Sequence, residues 1–156
     1  MEISRLRKLI ISIFENHKLS KKHSIICANA LINAELVGAS SHGVARISSY
    51  CNRLKKQVIN PKPKIKIRKI SPSITSIDSD NAIGFIGADI GIDHAIKNAK
   101  KSGIGLVAVK NSGHYGLSGY YAERAANQNL LAFSFTNAPP AIAPYGAKKT
   151  LFGTNP

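Results

Sequence analysis

The chain has 156 residues, 44% of them hydrophobic, and a formal net charge of +14. That is enough apolar material for one cored domain, and no run approaches the roughly 20 apolar residues of a membrane span. Isoleucine, lysine and asparagine make up about a third of the residues, so the positive charge reads as compositional drift of an A/T-rich coding sequence rather than as a polyanion site.

The first segment opens with Leu6, Leu9, Ile10, Ile13 and Phe14, which follow i, i+3, i+4, i+7 spacing and predict an amphipathic helix. Ser20 is placed to cap a second helix that closes at Gly38, with Ile25, Ala28, Ile32 and Leu36 on its inner face. A third helix is expected from about Gly43, turning Val44, Ile47, Cys51 and Leu54 inward and Arg46, Tyr50 and Arg53 to another face. His42 would sit at its entrance, where unpaired backbone N–H groups favour anions. Cys27 and Cys51 have neither CxxC nor metal-ligand spacing and read as reduced helix cysteines, which together with the absent signal-peptide pattern points to the cytoplasm. No metal site is expected.

After the linker Asn60-Pro61-Lys62-Pro63 the texture changes. Ile65 to Ile70 alternates like a half-buried strand, and Ser73 to Asp78 like a second. Asp80-Asn81-Ala82 should turn into a helix from about Gly84 to Lys101, with Ile86, Ile90, Ala95, Ile96 and Ala99 inward and Gly103 as its end. Ile104 to Val109 is an apolar run of buried-strand type, followed by a helix from about Leu117 to Gln128 and an apolar strand from Leu131 to Thr136. The fold class is therefore α/β: a three-helix segment, residues 1–58, then a segment of mixed sheet with βαβ units, residues 59–156. Ligands of such units gather beyond the strand carboxyl ends, so Asn111 to His114 and Asn137 to Ala141 should border one crevice.

Two histidines next to glycines, His42 in Ser41-His42-Gly43 and His114 in Asn111-Ser112-Gly113-His114, can exchange a proton near neutrality. Ser41 can orient His42 or simply cap the helix, and Arg46 offers a planar fork for a carboxylate. Gly113, Gly116 and Gly119 are spaced GxxGxxG, which is neither a dinucleotide fingerprint nor a phosphate loop.

The segments SHGVARISSY (Ser41 to Tyr50), INPKP (Ile59 to Pro63), KNSGHYGLSGYYAERAA (Lys110 to Ala126) and FTNAPPAIAPYGAKKTLFGTNP (Phe135 to Pro156) resemble the malate/L-lactate dehydrogenase family. The resemblance runs from about Arg5 to Pro156. It implies a non-Rossmann cofactor fold, NAD or NADP as cofactor, hydride transfer between that cofactor and a 2-keto or 2-hydroxy acid, and a homodimer. Carried over residue by residue, it assigns His42, His114 and Ser41 to catalysis, Arg46 and Tyr50 to substrate binding, and Thr136, Asn137 and Ala138 to the cofactor. Position 138 is often serine in the family, so Ala138 gives up a hydroxyl. Members run to roughly twice this length, so a truncated, N-terminal half is expected. The rival expectations are an inactive remnant of such an enzyme and a basic nucleic-acid-binding module. The latter lacks the aromatic interleaving of single-strand binders.

Overall fold

The structure, a computed structural model, describes residues 2–156. Helix α1 spans Ile3–Asn16 and buries Ile10 and Phe14 completely, while Leu9 points outward at 50% exposure. Helix α2, Lys21–Leu36, is capped as expected, the Ser20 hydroxyl accepting from the His23 N–H at 3.3 Å. It is buried on more than one side: Ser24, Cys27, Ala28, Ala30, Leu31, Ile32 and Ala34 are all enclosed. Small residues allow this, because α1 and the later helix Gly84–Ser102 (α4) can approach a surface of alanines closely. Leu36, expected inward, lies past the end of that packing and is exposed.

The third helix begins later than its pattern predicts. Two 3-10 turns, Ser40–His42 and Val44–Arg46, precede α3, Ile47–Lys55. Tyr50 does not share an outer face with Arg46 and Arg53. It is only 4% exposed and packs edge-on against Phe85 at 5.1 Å. Both cysteines are free and buried.

Three strands form one mixed sheet in the order β1-β2-β3. Strand β1, Lys66–Lys69, pairs antiparallel with β2, Ile74–Ala82, which pairs parallel with β3, Leu106–Ser112. The Asp80-Asn81 turn signal bends β2 rather than ending it: both residues take positive φ, and the register with β3 breaks between Asp78 and Ala82. Helix α4 then runs Gly84–Ser102, so the βαβ unit is β2-α4-β3. Gly103, at φ 78°, ends α4.

Helix α5 spans Ser118–Ala126, but Leu131 to Thr136 has no strand partner among the described residues. Its exposure alternates: Leu131, Phe133 and Phe135 are 98%, 82% and 80% exposed, while Ala132, Ser134 and Thr136 are partly covered. The two phenyl rings lie parallel, 6.1 Å apart. Strands β1 and β3 are likewise more exposed than their patterns predict, because α4 alone covers the sheet. On β1 the exposed side chains include Lys66, Arg68 and Lys69, charges that discourage pairing at an open edge.

The core lies where α1, α2 and α4 meet, around Ile10, Phe14, Leu31, Phe85 and Ile86. It also takes in Tyr50, Leu54, Ile59 and Ala82, so the helical segment and the sheet segment share it. Arg124 of α5 is pinned to α4 by Asp89 and Asp93, each at 2.6 Å. Burial pushes the Asp89 carboxyl up even with Arg124 beside it. That pair therefore fixes the angle of α5 more than it stabilises the fold.

Candidate active site

The two histidine segments converge. His42 stands in the first 3-10 turn, His114 in the loop between β3 and α5, and their rings stack with centroids 5.7 Å apart. Sequence distance is bridged by α4, whose first residue, Gly84, is buried against the carbonyls of Gly113 and His114. A side chain there would overlap both oxygens. Close contact of backbone with backbone thus sets where His114 sits.

Each histidine has its own partners. The Ser41 hydroxyl lies 3.0 Å from His42 Nδ1, and the Arg46 Nε–H donates to the Ser41 carbonyl at 2.8 Å. That bond uses the inner nitrogen of the guanidinium. Its two terminal nitrogens make no hydrogen bond among the described residues, so the fork remains open to an anion. His114 Nδ1 receives the Gly116 N–H at 3.2 Å and lies 2.7 Å from the Tyr50 hydroxyl. Burial pushes the Tyr50 phenol up, so it is a permanent O–H at neutral pH. His114 is held below the ordinary histidine value, first by partial burial and then by the charges of Arg46, His42 and Arg53.

The helix-entrance donors expected to attract an anion beside His42 are partly committed. Glu35, from α2, accepts the Val44 N–H at 2.7 Å and the Ser40 hydroxyl at 3.0 Å. Gly43 packs against the same carboxylate, and a methyl group there would collide with it. Glu35 therefore acts as an internal anchor for the turns that carry Ser41, His42 and Arg46. Glu35→Ala should cost about 1–3 kcal/mol, the usual worth of hydrogen bonds to a charged acceptor, read by urea denaturation. Glu35→Gln, which keeps an acceptor oxygen, should lose less.

Of the residues singled out from sequence, Ser41, His42, Arg46, Tyr50 and His114 form one cluster. Thr136, Asn137 and Ala138 stand in the irregular stretch after the unpaired segment. There the Thr136 N–H donates to the Pro156 carbonyl, and the Ala138 N–H to Asn155 Oδ1. The Tyr115 hydroxyl, 3.2 Å from Ser134 Oγ, ties this stretch to the His114 loop. Sequence reasoning missed Glu35 and Gly84. A lone glutamate nine residues before its N–H partner carries no local signature, and Gly84 was legible only as the edge of a helix.

Known proteins share this arrangement of elements. The sequence profile of the malate/L-lactate dehydrogenase family matches residues 1–156. The chain is 41% identical over 150 residues to L-sulfolactate dehydrogenase of Methanocaldococcus jannaschii, covering 96% of this chain and 44% of that protein. It is 32% identical over 158 residues to an Escherichia coli O157:H7 ureidoglycolate dehydrogenase (NAD(+)), covering 100% and 45%. The structure of malate dehydrogenase from Pyrococcus horikoshii OT3 superposes with a TM-score of 0.90 at 34% identity, again covering 100% of this chain and 45% of that one. The chain thus spans less than half the length of the relatives it matches. From its first residue to its last, it belongs to the malate/L-lactate dehydrogenase family.

Proposed function

We propose that the chain provides the proton-transfer and carboxylate-binding half of an NAD- or NADP-dependent oxidoreductase that interconverts 2-keto and 2-hydroxy acids. The observation carrying this reading is the stacked pair His42 and His114 with the open fork of Arg46 beside it. Family membership and the dehydrogenase activities named for its relatives support it. A homodimer in the cytoplasm is part of the same reading.

The stretch after Phe135 offers an exposed polar side chain that suits the carboxamide end of a nicotinamide cofactor. Asn137 presents an exposed carboxamide, and Thr136 and Ala138 flank it with N–H groups already satisfied by the chain itself. Thr136, Asn137 and Ala138 are the residues we assign to holding it. When bound, the cofactor supplies the hydride. The chain's own part is different. Arg46 grips the carboxylate and so fixes the adjacent carbonyl in front of the histidines. As the carbonyl carbon is reduced, its oxygen keeps the former π pair and takes a proton from one imidazolium, leaving that ring neutral. Tyr50 and Ser41 hold the rings in place, while Glu35 holds the turn.

The assay is direct. A panel of 2-keto acids with NADH and with NADPH is followed by loss of the reduced cofactor's near-ultraviolet absorbance. Consumption with at least one keto acid is expected. No consumption with any acid and either cofactor sinks the proposal. It would favour the second reading, a chain that keeps the site's fold without turnover, for which the uncovered Leu131, Phe133 and Phe135 are the supporting observation.

A further inference from the structure

The two histidines are not equivalent, and their hydrogen bonds tell them apart. A backbone N–H can only donate. The Gly116 N–H directed at His114 Nδ1 therefore requires a bare lone pair on that nitrogen, and the single proton of the neutral ring must sit on Nε2. The Tyr50 hydroxyl, a standing O–H and at 2.7 Å the nearer donor, then shares that single lone pair with the Gly116 N–H in a three-centre arrangement. Protonating Nδ1 would set its N–H against that of Gly116 and turn the Tyr50 bond around. The surrounding charges oppose it as well: Arg46 and His42 face the ring from the 3-10 turns, and Arg53 from α3. His42 is under no such constraint. Among the described residues its Nδ1 meets the Ser41 hydroxyl alone, a rotor that donates or accepts as required.

We propose that Tyr50 and the Gly116 N–H lock His114 in its Nε2–H tautomer, so that it serves as a fixed hydrogen-bond donor to the substrate oxygen while His42 alone carries the exchanged proton. The assignment rests on the keto-acid reading of the site. A neutral imidazole already aimed as a donor needs no reorganisation as negative charge develops on the oxygen, and it stabilises that charge without giving up its proton. A ring that must take up a proton and release it each turnover requires partners able to change roles; the Ser41 hydroxyl beside His42 can, whereas the Gly116 N–H beside His114 cannot. Tyr50 is in this scheme a positioning residue.

The test reads tautomers without requiring turnover. The chain is labelled with 15N in its histidine rings, and long-range proton–nitrogen correlations are recorded from about pH 5 to about pH 8, where histidine titrates. His114→Gln assigns the signal. His114 is expected to show a protonated Nε2 and a bare Nδ1 at neutral pH, with a midpoint below the ordinary histidine value. In Tyr50→Phe the midpoint should rise by about half a unit to one unit, the worth of one lost hydrogen bond to the neutral form, while the Gly116 N–H preserves the tautomer. An Nδ1–H tautomer or an imidazolium at neutral pH in the unsubstituted chain overturns the proposal, whether or not the Tyr50 variant folds. A bare Nδ1 in a chain that reduces no keto acid would count against the functional reading, not against the lock.

Discussion

His42→Ala should lower keto-acid turnover by about a hundredfold or more, within the 10²–10⁴ that positioned acid–base groups contribute. The substitution removes a ring whose one hydrogen-bond partner among the described residues is the neighbouring Ser41 hydroxyl, so the fold should barely notice. His114→Ala should also lose at least about tenfold, but the two positions part company with glutamine. A carboxamide N–H can replace a fixed donor and cannot carry a proton through a cycle. His114→Gln is therefore expected to recover much of the loss, and His42→Gln none of it. Turnover within about threefold of the starting protein in both alanine variants, a loss far smaller than general acid–base catalysis contributes, would remove the histidines from the chemistry altogether.

Gly84→Ala should be a damaging small change close to the ring pair. At an ordinary helix position alanine is better than glycine by roughly 0.5–1 kcal/mol. Here the new methyl would overlap the carbonyl oxygens of Gly113 and His114, which are main-chain atoms and cannot rotate aside. Overpacking costs about 1–3 kcal/mol or more, so the clash outweighs the helical gain. The expected result is a net loss of about 2 kcal/mol in urea denaturation, with the His114 loop displaced and its bonds to Tyr50 and Gly116 broken. Unchanged stability with unaltered His114 nitrogen signals would show that α4 does not position the loop. Gly116 is constrained in a related way, with φ at +80° and Phe85 Cε1 2.5 Å from where a Cβ would lie.

Local signals were the legible ones. Ser20 caps α2 and Gly103 ends α4 where the sequence places them, because a cap is a contact between near neighbours. The SHG and NSGH segments were legible as a candidate site from their motifs, and the fold stacks their two imidazoles 5.7 Å apart. What the pattern could not convey was which groups answer one another across the chain. Tyr50 reads as one residue of a polar helix face, and only the arrival of Phe85 and His114 from other elements explains why it is buried. Leu131 to Thr136 has the alternation of a strand, yet alternation shows which face is apolar, not whether a neighbour is there to pair with it. The Asp80-Asn81 signal was read as a turn. The ladder on either side is strong enough to continue through it as a bend.

The contact of Gly84 with the His114 loop has a consequence for how freely this sequence can drift. The seat of the His114 loop on α4 is made by main-chain atoms at Gly84. Exchange of one apolar residue for another in the core, or the accumulation of isoleucine and lysine on the periphery, leaves those atoms where they are. The surface chemistry of the chain can therefore wander while that contact holds the His114 loop in place. The mutations that matter to the distance between the two imidazoles fall at the few positions where a hydrogen atom stands in place of a side chain, and at the Glu35 and Tyr50 contacts that hold the two rings.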